Sequence, residues 1–90
     1  MDVGVHILVE GVVQGVGFRW FVARQAHALG VNGFVQNLFN GNVEVVAEGE
    51  RSLLEDLISQ VKVGPRSAHV TNLHIAWQEP TRQFTHFEIR

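Results

Sequence analysis

Apolar and polar positions alternate along the first ten residues: Val5, Ile7 and Val9 interleave with His6, Leu8 and Glu10. That period of two predicts a strand over Val5–Glu10 with one apolar face. GVVQGVG follows at residues 11–17, with three glycines in seven positions, and reads as a loop able to turn its backbone amides toward a ligand. From Phe18 the period changes. Phe18, Phe21, Val22, Ala26 and Leu29 recur every three or four residues, which predicts one face of a helix over Phe18–Leu29, ended by Gly30. Val31–Leu38 and Asn42–Glu48 read as two strands joined across Asn40-Gly41, a dipeptide suited to a type I′ hairpin. Ser52-Leu53-Leu54-Glu55 fits a capping box, and Leu53, Leu54, Leu57, Ile58 and Val61 stripe a second helix that stops at Gly64-Pro65. His69–Trp77 reads as the next strand. Phe84–Ile89 is a short last one after a turn around Pro80, with Phe87 and Ile89 on one face.

Strand, helix, strand, strand, helix, strand is the order of a split βαβ pair. Two right-handed crossovers on one side of a sheet give an α+β, ferredoxin-like sandwich (βαββαβ), with an antiparallel sheet, two helices on one face and a short final strand. Residues 1–90 are expected to form a single domain, since a chain of this length has no room for a second core. The fold hosts many functions and selects none by itself.

Composition narrows the choice. With 46% hydrophobic and 18% charged residues the chain is globular rather than disordered. It has no cysteine, so disulfides, a thiolate nucleophile and cysteine-ligated zinc are excluded. The start, MDVGVHILVEGVVQ, has no basic leader and is interrupted at Gly4, His6 and Glu10, unlike a signal peptide or membrane span. The cytoplasm is the expected compartment, with no membrane association. A net charge of −2 offers no field for a polyanion, and Asn42–Glu48 carries two glutamates and no aromatic, so nucleic acid is not an expected partner. A small anion held locally is still compatible. The five histidines lack ligand spacing, so no metal and no cofactor is expected. Glu44 and Glu48 read as a solvated strand face.

Against that background VQGVGFR (Val13–Arg19) carries the strongest signal. A glycine-rich turn feeding a helix N-terminus gathers unpaired N–H groups, and the helix dipole favours an anion there. Arg19 in the first turn opposes that dipole, a position that makes sense if its guanidinium grips the same anion with paired N–H bonds. The stretch lacks the third glycine of a dinucleotide fingerprint and has no following GK[ST]. A second stretch, GFVQN–x3–G–x–V–x5–G, begins at Gly33 and runs through Asn37, Gly41, Val43 and Gly49. Taken alone, Asn37 would be a turn residue beside Asn40-Gly41.

VQGVGFR joined at this spacing to GFVQN–x3–G–x–V–x5–G closely resembles the acylphosphatase family, whose members hydrolyse the carboxyl-phosphate bond of acyl phosphates. The likeness extends from EGVVQGVGFRWFV through LGVNGFVQNLFNGNVEVVAEG to the Phe-Glu-Ile near the C-terminus. It implies the same ferredoxin-like fold, a small-molecule acyl phosphate as partner and no cofactor. It implies that Arg19 holds the substrate phosphate and Asn37 positions the attacking water, and that Gln14, Gly15, Val16, Gly17 and Phe18 form an amide cradle. At Gln36 the chain departs from many relatives, which carry a basic residue there, so local positive potential is lower. A free-standing monomer is expected, although a similar domain opens a longer chain in hydrogenase maturation. One alternative stays open at this point: a regulatory domain that binds an acyl or carbamoyl phosphate without turning it over.

Overall fold

In the computed structural model, which describes residues 1–90, strand β1 (Asp2–Val12) carries Val5, Ile7 and Val9 fully buried on one face. It runs past the predicted end at Glu10, with a bulge between Glu10 and Gly11 in its pairing to β4, so the loop shrinks to residues 13–17. Helix α1 (Phe18–Leu29) matches its predicted limits and ends at Gly30. Strands β2 (Asn32–Asn37) and β3 (Val43–Glu50), helix α2 (Arg51–Val63), strand β4 (His69–Gln78) and strand β5 (Phe87–Ile89) follow. The sheet order is β4-β1-β3-β2-β5. Four strands form the antiparallel body. The fifth, β5, lies parallel to β2 and makes the sheet mixed rather than wholly antiparallel.

The core forms where the alternating faces of the strands meet the two helical stripes. Val5, Ile7, Val9, Val35, Val43, Val45 and Ala47 lie under Phe18, Val22 and Ala26 of α1 and Leu54, Leu57 and Val61 of α2. Burying each large aliphatic side chain contributes about 1.5–3 kcal/mol. Both stripes therefore fix the helices to the same sheet face, as the periodicity predicts. No helix is long and apolar enough to cross a membrane.

Three local expectations fail for identifiable reasons. The hairpin after β2 is not type I′: Gly41 N–H donates to Leu38 O (3.2 Å) and Leu38 N–H to Asn42 O (2.9 Å), and of the loop residues only Gly41 has positive φ. This is a three-residue connection in which Gly41 alone needs the left-handed region. It leaves Phe39 fully exposed at the tip. The capping box does not form either. Glu50 is the N-cap with extended backbone and no side-chain cap bond, which puts Ser52 inside the first turn. Finally, Phe84 lies outside β5 and packs on Phe34, ring centroids 5.9 Å apart.

The open sheet face is also less solvated than its sequence implies. Glu48 is buried, because Thr81 N–H (2.6 Å), Thr81 Oγ1–H (2.9 Å) and Arg82 N–H (3.0 Å) all donate to its carboxylate. Glu44 is held between His6 Nε2 (2.7 Å) and Gln36 Nε2 (2.6 Å). A carboxylate that accepts such bonds is favoured over its acid. The bond from His6 holds the Glu44 carboxyl below its ordinary value of 4.5, with help from Gln36 and from the charges of His6 and Arg90, against the opposing effect of burial. A lowered carboxyl pKa stabilises the fold above the unfolded value, and that contribution is lost as pH falls through the folded one. Urea unfolding at pH 6 and pH 3 is expected to show a smaller acid-induced loss in Glu44→Gln than in the parent chain. Equal losses would remove this role.

Candidate active site

Topology assembles the site. Both β1 and β2 pair antiparallel with β3, so β1 and β2 run parallel to each other. An antiparallel relation between them, on which the spacing of Asn37 from the loop would otherwise depend, does not occur. The C-terminal ends of both strands consequently reach the same end of the sheet. Val43 pairs with Val9 on one side and Asn37 on the other. Asn37 is thus level with Val9, two strand spacings or about 9–10 Å away, and β1 runs three residues further before the loop that leads to α1.

That loop needs backbone that most side chains resist. Gly15 and Gly17 have φ of 73° and 76°, in the left-handed region, and Gly17 is the N-cap of α1 with no side-chain cap bond. The first helical bond is Phe21 N–H to Gly17 O at 3.0 Å. The N–H groups of Gln14 through Phe18 have no main-chain or side-chain acceptor within the protein. Such a run of free donors beside a helix N-terminus suits an anion.

A cleft of about 290 Å³ opens over this loop, lined by Val13, Gly15, Gly17, Phe18, Arg19, Trp20, Asn37 and Ile89. Among the residues expected at the site, Gly15, Gly17, Phe18, Arg19 and Asn37 therefore meet in one cavity. Val16 instead packs against the core edge. Gln14 turns its side chain away, donating from Nε2 to Leu38 O (2.7 Å) and Asn42 O (2.8 Å). Its side chain thus ties the loop to the β2–β3 hairpin beside Asn37. Removing both bonds in Gln14→Ala is expected to cost about 1–3 kcal/mol, or roughly 4–8 °C in Tm for each kcal/mol. An unchanged melting curve would show that the tie carries no load.

Arg19 is half-buried, and its Nη1–H donates to the main-chain oxygen of Arg90 at 2.8 Å. Its other donors have no protein partner among the side-chain hydrogen bonds. Asn37 is exposed at the end of β2 and its amide makes no bond to the protein. A cation and a free amide thus share the cleft with the free N–H groups, and no acidic side chain lines it. A larger groove of about 490 Å³ between α2 and β4 has Lys62 as its only charged lining residue and is lined by none of the residues expected at the site.

The sequence and the fold have known counterparts. The Acylphosphatase family model matches residues 5–89. The acylphosphatase of Moorella thermoacetica is 47% identical over 85 residues, covering 94% of this chain and 90% of that protein. The one from Thermococcus kodakarensis is 48% identical over 75 residues, covering 83% and 82%. The crystal structure of the Bacillus subtilis acylphosphatase superposes with a TM-score of 0.94 at 34% identity, covering 98% of both chains. The chain belongs to the acylphosphatase family. Within this acylphosphatase fold, Val13, Ile89 and the Arg90 main-chain oxygen are the cleft neighbours that sequence reasoning missed. Alternation places Phe87 and Ile89 on one face, but only the parallel pairing of β5 with β2, Val35 opposite Ile89, brings that face to the cleft.

Proposed function

We propose that the chain hydrolyses acyl phosphates to a carboxylate and inorganic phosphate, acting through the cleft between the Gly15–Gly17 loop and Asn37. The observation that carries this reading is the meeting of Arg19, Asn37 and the unpaired loop amides in one cavity of an acylphosphatase fold. Residues 1–90 act as one monomeric domain, a reading supported by a cleft whose lining residues all lie in this one chain.

The amides of Gln14 through Phe18 and the guanidinium of Arg19 grip the phosphoryl oxygens. Asn37 accepts a hydrogen bond from water at its carbonyl oxygen and aims the lone pair at phosphorus; its amide does not titrate usefully as a base. Water oxygen bonds to phosphorus as the bond between phosphorus and the carboxyl oxygen breaks, and the acyl group departs with the electron pair as carboxylate. One water proton stays on the new hydroxyl and the other passes to a phosphoryl oxygen, giving dihydrogen phosphate. A carboxylate is a weak base and leaves without protonation. Position and electrostatics then supply the catalysis.

Benzoyl phosphate turnover in the presence of a chelator tests the reading. Rapid release of benzoate and phosphate is expected. Tight binding without release would favour the regulatory-domain alternative, which no feature of the cleft favours.

A further inference from the structure

We infer that Glu44 is a positioning residue for Asn37, holding the strand end that carries it through the side chain of Gln36. This rests on the water-positioning role proposed for Asn37 above and names what fixes its aim. Asn37 is the last residue of β2, and its amide has no hydrogen-bond partner in the protein. Its direction is therefore set by the backbone beneath it. That backbone is held from one side only. The pairing of β5 with β2 ends at Val35, opposite Ile89, so Gln36 and Asn37 have β3 as their one strand neighbour.

A side-chain bridge reinforces the strand at that point. Gln36 pairs with Glu44 and Asn37 with Val43. Alternation puts the first pair on the open sheet face and the second on the helix face, where Val43 is fully buried. Gln36 Nε2–H donates to Glu44 Oε1 at 2.6 Å, and His6 Nε2–H donates to Glu44 Oε2 at 2.7 Å. His6 stands on β1, on the far side of β3 from β2, so the bridge runs across three strands. Both bonds end on a carboxylate, which makes them stronger than bonds between neutral groups. They act one residue before Asn37, where β5 no longer supports β2. A displacement of about 1 Å can cost about 10² in rate, so roughly half of it suffices for about tenfold.

The test is a double-mutant cycle on benzoyl phosphate hydrolysis, with Gln36→Ala and Glu44→Ala each made in the parent chain and in Asn37→Ala. In the parent chain each is expected to lower kcat about tenfold, with KM and inhibition by phosphate unaltered because Arg19 and the loop amides are untouched. In Asn37→Ala neither is expected to lower kcat further, since a residue that acts only through Asn37 has nothing left to position. Gln36→Arg keeps a donor within reach of Glu44 and is expected to retain kcat. Should Glu44→Ala fail to fold, Gln36→Ala carries the cycle alone, as it leaves the bond between His6 and Glu44 in place. An unchanged kcat in Gln36→Ala overturns the inference, as does an equal loss in the Asn37→Ala background or a Gln36→Arg as poor as Gln36→Ala. Parent-like turnover in Asn37→Ala itself would instead overturn the role proposed for Asn37, and the inference with it.

Discussion

Arg19→Gln is expected to lower benzoyl phosphate turnover by at least about 10²–10³, the usual loss when one strong transition-state contact is removed. The variant should also bind inorganic phosphate more weakly, because the cation complements charge in both substrate and product. Its circular dichroism should remain native, since the side chain is only half-buried and its one protein bond runs to the Arg90 main-chain oxygen. Arg19→Lys is expected to be poor as well. An ammonium is a point charge and cannot reproduce the planar fork that spans two phosphoryl oxygens. Unaltered phosphate affinity in Arg19→Gln would contradict the assigned role.

Asn37→Ala should separate water positioning from substrate binding. Turnover is expected to fall by about 10²–10³, while inhibition by phosphate changes little. The fold should be indifferent: the Asn37 amide bonds to nothing in the protein and the residue is exposed, so the stability change should stay within about 0.5 kcal/mol. Parallel losses of turnover and phosphate affinity would make Asn37 a clamp on substrate instead.

Elements whose signals are local were legible in the sequence. α1 begins after a glycine loop and ends at Gly30, with an apolar stripe between, and its limits follow. Signals that depend on distant partners were not. Glu48 reads as solvated because Thr81 and Arg82, which cover it, lie 33 and 34 residues away. Asn40-Gly41 reads as a two-residue turn, whereas the pairing of Asn37 with Val43 sets a longer loop. Ser52 fits a cap, yet β3 extends to Glu50 and the helix starts directly from it. At the candidate site, motif spacing singles out Arg19, Asn37 and the loop, which line one cleft. Ile89 and the Arg90 main-chain oxygen are not singled out, because their place depends on a parallel strand pairing that no local pattern encodes.

On the proposed mechanism the free amides after β1, with Arg19, hold a phosphoryl group. Titrating ¹⁵N-labelled protein with inorganic phosphate and following the amide resonances tests it most directly. Saturable shifts are predicted to be largest at Gly15, Val16, Gly17, Phe18 and Arg19, and to weaken sharply in Arg19→Gln. Resonances of the loop that stay still while others move, or a parent-like titration in Arg19→Gln, would contradict it.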